Sequence, residues 1–135
     1  MSKKFDVPVI RFNVHLTVED IDDIVCTALE GGINYWACSA EVPADCRVAD
    51  WGHEQIARGG KLLIHVDEPF DEYDTEVYEL NLENFLNGFK IWMNRGGFCS
   101  EILENCSGDL DVSCIDADDA DSIIQYALFG ELVFG

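Results

Sequence analysis

The stretch Ile115–Gly135, IDADDADSIIQYALFGELVFG, limits what this chain can fold into more than any other part of it. An acidic N-cap opens a helix and an apolar stripe runs along it. Gly130 closes it, and a short apolar strand is expected to follow. The same plan is written in Leu16–Trp36, LTVEDIDDIVCTALEGGINYW. In register, Asp20, Asp22, Ile24, Ala28, Leu29 and Gly31 meet Asp119, Asp121, Ile123, Ala127, Leu128 and Gly130. Two readings fit: an ancient duplication, or two helices obeying the same local rules. On both, these units form the middle of the fold.

The rest of the chain follows from periodicity. Residues 6–16 alternate as a strand, with Ile10, Phe12, Val14 and Leu16 on the buried face and Pro8 placing its start near an edge. Thr17 and Asp20 suit a helix N-cap, and Gly31 and Gly32 stop that helix. Residues 33–42 read as a strand, 51–58 as a short helix, 61–66 and 76–80 as strands around an acidic loop. Asn81 caps a helix whose Leu82, Phe85, Leu86, Phe89 and Met93 make a core face. A short helix over 100–105 and a brief strand over 112–115 precede the last helix. The expected architecture is α+β, a single domain over residues 1–135. It has about five strands in a mainly antiparallel or mixed sheet and three main helices.

The charge is the strongest compositional anomaly. Twenty-seven acids stand against eight bases, a formal net charge of −19. Such a surface repels nucleic acid and anionic membranes and attracts basic protein surfaces. Hydrophobic residues make up 48% of the chain, which argues against intrinsic disorder. No apolar run reaches membrane-spanning length, and the N-terminus has no secretion-signal pattern, so the expected location is the cytoplasm. The six cysteines are then expected as reduced thiols.

The acids gather in three runs: Glu19, Asp20, Asp22 and Asp23; then Asp67, Glu68, Asp71, Glu72, Asp74 and Glu76; then Asp109, Asp111, Asp116, Asp118, Asp119 and Asp121. The bland account is a solvated face that keeps the protein in solution. The sharper account is a surface that imitates the charge of a nucleic acid, which carries about one negative charge per 1.7 Å of duplex axis. On that account the contact residues are Glu19, Asp20, Asp23, Asp67, Glu68, Asp71, Glu72, Asp74, Glu76, Asp116, Asp118, Asp119 and Asp121. Phe70 and Tyr73 serve as aromatic anchors.

Other chemistries find no support in the residue pattern. Cys38, Cys46 and His53, and likewise Cys99, Cys106 and Cys114, lack the close cysteine pairs of structural zinc. The acidic runs lack the glycine and terminal glutamate of a helix–loop–helix calcium site. His15, His53 and His65 sit beside no recognisable nucleophile motif. The pairs Gly31–Gly32, Gly59–Gly60 and Gly96–Gly97 read as helix ends and not as phosphate cradles. No cofactor, metal or catalytic residue is expected.

Three segments, DIDDIVCTALEGGINYW, HEQIARGGKLLIH and IIQYALFGELVFG, together resemble a group of small acidic proteins encoded by phages and mobile elements of Firmicutes. The resemblance implies an accessory role for a mobile element and carries over no catalytic residue. With the charge, it leads to an inhibitor that occludes the nucleic-acid-binding surface of a host defence or DNA-processing protein, in the anti-CRISPR or anti-restriction manner. The alternatives are a sponge for a defence signalling nucleotide, with Arg11, Arg58, Lys61 and Arg95 as its cations, or a small enzyme of unknown reaction. The apolar LVFG segment, if a free strand edge, offers a route to a homodimer.

Overall fold

The computed structural model describes residues 2–8, 13–97, 103–104 and 108–135. Helix α1 covers Val18–Thr27 and runs on through a π-turn at Ala28–Gly32. It starts at Thr17 because the Thr17 hydroxyl accepts the Asp20 N–H at 3.0 Å while the Asp20 carboxylate accepts the Thr17 N–H at 2.9 Å. Ile21, Ile24, Val25 and Ala28 bury one face of it.

Strands β1 (Ala37–Glu41), β2 (Lys61–Val66) and β3 (Val77–Asn81) form an antiparallel sheet in the order β1-β2-β3. Leu62, Ile64 and Val66 point from β2 into the core, joined by Leu80 and the half-buried Tyr78 of β3. Lys61, Leu63 and His65 stand on the other face. Between β1 and β2 the chain is irregular and is organised by Gln55, which is fully buried. Its Oε1 accepts the Val48 N–H at 2.9 Å, and its Nε2 donates to the carbonyls of Ala49 and Trp51, both at 2.8 Å.

Helix α2 (Leu82–Trp92) opens on a capping box between Asn81 and Asn84. Helix α3 (Ala117–Phe129) opens on one between Asp116 and Asp119, and ends at Gly130 in the left-handed region, φ 77°. The two helices pack closely because Gly88 has no side chain. A Cβ there would lie 2.5 Å from the Ala127 nitrogen. Gly32 plays the same part where the end of the α1 unit meets the start of α3, since a Cβ there would lie 2.7 Å from the Ala117 carbonyl oxygen. A small ladder pairs β4 (Leu103–Glu104) with β5 (Asp109–Leu110).

The α+β class, the three helices and an antiparallel sheet are as expected. Several details differ. The expected strand over 6–16 leaves only one bridge among its described residues, His15 with Asp109; Val9, Ile10, Arg11 and Phe12 lie outside the described residues. The strand expected over 33–42 begins only at Ala37. The N–H groups of Trp36 and Ala37 donate back to the Ile33 carbonyl, which extends the helix end into a turn. The expected helix over 51–58 is a 3-10 turn at Gly52–Glu54 followed by turns, and the strand over 112–115 is a 3-10 turn at Val112–Cys114. The helix expected over 100–105 lies largely outside the described residues, and its two described positions are in β4. On α2 the buried face is Phe85, Gly88, Phe89 and Trp92, and Leu86 is exposed. Finally, Glu131–Gly135 is not a strand.

Candidate functional site: an acidic loop on an aromatic cluster

Residues 67–76 join β2 to β3. Their shape is set by a short polar network. The Asp71 carboxylate accepts the Thr75 N–H at 2.8 Å and the Thr75 hydroxyl at 2.6 Å. These bonds favour the charged form and hold the Asp71 carboxyl below its ordinary value, the hydroxyl having the largest effect. Asp74 completes the turn at φ 54°, a conformation that Asp tolerates better than most residues. At the base, the Val66 N–H donates to the Glu76 carbonyl and the Asp67 N–H to the Trp36 carbonyl, each at 2.9 Å.

Around this network Asp67, Glu68, Glu72, Asp74 and Glu76 are exposed. Tyr73 is 80% exposed at the surface of the loop. Phe70 is 42% exposed, but its ring is not free. It stacks on Tyr78 with centroids 6.0 Å apart and meets Phe129 and Phe134 edge-on at 5.0 and 5.5 Å. The loop is therefore seated on aromatic rings from β3, the end of α3 and the segment after it.

The second acidic run opens α3. The Asp116 carboxylate accepts the Asp119 N–H at 2.9 Å, and the Asp119 carboxylate accepts the Asp116 N–H at 3.2 Å. Asp119 is pushed up, chiefly by burial. The charges of Asp116 and Asp118 add to the shift, and the bond from the Asp116 N–H opposes it. Asp116 and Asp118 are exposed.

Asp121 corrects the surface expectation for that residue, because it is only 8% exposed. One oxygen accepts the Tyr35 hydroxyl at 2.6 Å. The other accepts the Trp36 indole N–H at 2.8 Å and the Gln125 amide at 2.9 Å. Burial, then the hydrogen bond and charge of Asp121, push the Tyr35 hydroxyl up to about 12. With both oxygens occupied by internal donors, this carboxylate has no role on a contact surface.

The loop and the start of α3 are thus bridged through Tyr35 and Trp36. Tyr35 binds Asp121 and feels the charge of Asp118, while Trp36 binds the base of the loop. The third run stands apart. Glu19 and Asp23 are exposed and Asp20 is half-buried in its capping box, at the opposite end of the α1 unit from the Gly32 contact with α3. Nine to thirteen residues of helix separate that run from Gly32 and put it roughly 14–20 Å away along the axis. Within this run Asp22 pairs with Arg58 at 3.0 Å.

Residues that sequence reasoning did not single out are Tyr35, Trp36, Gln125 and Phe134. Only Gln125 left a signal, as a polar side chain inside the apolar run IIQYALF. Two of the cations considered for a nucleotide site are engaged by acids. Arg58 is held by Asp22, Lys61 sits 3.4 Å from Glu79, Arg95 is exposed beyond α2, and Arg11 is outside the described residues. A half-open groove of about 290 Å³ beside β1 is lined by Leu29, Ile33, Asn34, Ala37, Cys38, Ser39 and Ala40, with no titratable pair of acid and base. Among the described residues, no three His, Cys, Asp or Glu side chains are grouped to hold a metal, and no helix is long and apolar enough to cross a membrane. No family model, curated protein or solved structure matches the chain.

Proposed function

We propose that this protein is an inhibitor of a basic, nucleic-acid-binding partner, and that the 67–76 loop with the first turn of α3 is its contact surface. The observation that carries the reading is the loop itself. Five exposed carboxylates share one ten-residue loop with an exposed Tyr73, on a turn fixed by Asp71 and Thr75. Fixed charges around an aromatic anchor give fast, salt-sensitive association and a central contact that excludes water. Among the described residues the ion pairs use Asp22, Glu79 and Glu41, so no acid of this surface is neutralised by a cation. The phage or mobile-element origin suggested by the resemblance makes a host defence or DNA-processing protein the partner class, met in the bacterial cytoplasm.

The test is affinity purification from a bacterial host lysate at two ionic strengths, with the wild type beside a loop variant carrying Glu68→Gln, Glu72→Gln, Asp74→Asn and Tyr73→Ala. The expected result is capture of a nucleic-acid-binding protein that fades as salt rises, is competed by duplex DNA and is lost in the variant. Capture indifferent to salt, DNA and the loop would overturn the reading.

A further inference from the structure

Glu131–Gly135 has no strand or helix to hold it, yet it is tied down. Gln125, 1% exposed, uses its Oε1 to accept the N–H groups of Val133 and Phe134 at 2.8 and 2.9 Å. Its Nε2 donates to the Phe134 carbonyl at 3.2 Å and to Asp121 at 2.9 Å. The Phe134 ring enters a slot between Trp36, on which it stacks at 5.2 Å with planes 4° apart, and the edges of Phe129 and Phe70. Gly130, in the left-handed region, lets the chain turn back from α3 toward that slot.

We propose that this segment is a latch that sets the orientation of the acidic loop, with Gln125 and Phe134 as positioning residues. The Asp71–Thr75 bonds fix the shape of the loop but join it to nothing outside itself. Its outside attachments are the Glu76 carbonyl on the Val66 N–H and the Asp67 N–H on Trp36 at the base, and the Phe70 ring above. Phe134 touches two of these: it stacks on Trp36 and closes one side of Phe70. Gln125 couples the latch to the Asp121 network that also holds Tyr35 and the Trp36 indole. With the latch open, Trp36 loses its stacking partner and Phe70 one of its three ring neighbours, so the loop gains freedom at these two attachments together, while the Val66–Glu76 bond still ties it to the sheet.

The functional consequence rests on the contact-surface reading above; the conformational one does not, and is tested without any partner. Amide hydrogen exchange of the full chain is compared for wild type, Phe134→Ala and Phe134→Tyr. In Phe134→Ala, exchange at the Asp67 and Thr75 amides is expected to quicken about tenfold or more, with residues 17–27 unchanged and Phe134→Tyr close to wild type. Faster exchange confined to 131–135 overturns the latch. So does a general rise that includes 17–27, which would make Phe134 an ordinary core residue. If the loop loosens but partner capture is unchanged, the latch stands and the contact-surface reading falls.

Discussion

The two matching helical units obey one local grammar and end in different roles. Each opens on a capping box whose third helical residue is the matched aspartate, Asp20 in α1 and Asp119 in α3. Each buries the matched isoleucine, Ile24 and Ile123, at 1% and 0% exposure. They part at the second matched aspartate. Asp22 faces Arg58 near the surface, whereas Asp121 is buried and organises Tyr35, Trp36 and Gln125. They part again at the matched glycine. Gly31 lies within a π-turn that continues into the sheet, whereas Gly130 adopts φ 77° and reverses the chain. Local pattern thus fixes where helices start and stop, and tertiary neighbours decide what an identical residue does there.

The largest expected effect comes from breaking the aspartate comparison. Asp121→Ala leaves the Trp36 indole N–H without its acceptor and Gln125 without one of its own, and is expected to destabilise the fold by about 2–4 kcal/mol. Asp22→Ala removes a partly exposed ion pair and is expected to change stability by no more than about 1 kcal/mol. Chemical denaturation of the two variants measures both; equal losses would mean that burial does not distinguish the two positions.

The glycine comparison is expected to give opposite signs. Gly130→Ala forces an L side chain into the left-handed region and is expected to destabilise by about 1–2 kcal/mol. At Gly31 φ is not positive and nothing lies within 4 Å of an added Cβ. Gly31→Ala is therefore expected to stabilise by about 0.4–1 kcal/mol. Thermal or chemical melts that move the same way in both variants would break the comparison.

The smallest effect is on pH dependence. The Tyr35 hydroxyl is held above its ordinary value, at about 12, so the folded state keeps this proton after the unfolded chain has released it. Its stabilising contribution is complete below about pH 10 and is lost as pH rises toward about 12. In Tyr35→Phe, denaturation midpoints across that window should fall less steeply than in the wild type. Parallel curves would show that the hydroxyl does not bind Asp121 in solution.

The parts of the fold that were legible in the sequence are those decided within a few residues. The Thr17 cap, the Asn81 cap, the alternation of Lys61–Val66 and the closing Gly130 all appear where the pattern puts them. What was not legible depends on distant partners. Leu86 fits an α2 core stripe, but the approach of Gly88 to Ala127 turns the helix so that Phe85, Gly88, Phe89 and Trp92 face inward. The last five residues look like a strand because they alternate with nothing; a glutamine eight residues back claims their amides before a sheet can. Of the candidate site, the loop acids and Tyr73 were visible as a charge run with an aromatic. The burial of Asp121 was not, because its hydroxyl and indole donors sit eighty-six and eighty-five positions away.

Gln55 and Gln125 do similar work, one in the middle of the chain and one near its C-terminal end. Each is a neutral amide, buried to within 1%, that supplies an acceptor and a donor to an otherwise unstructured segment. A carboxylate has the same outline but, when ionised, no donor. Replacing the NH2 by oxygen would leave the Ala49 and Trp51 carbonyls facing negative charge at Gln55, and the Phe134 carbonyl at Gln125. Slow hydrolysis of either amide is therefore expected to loosen the segment it holds, with almost no change in side-chain size.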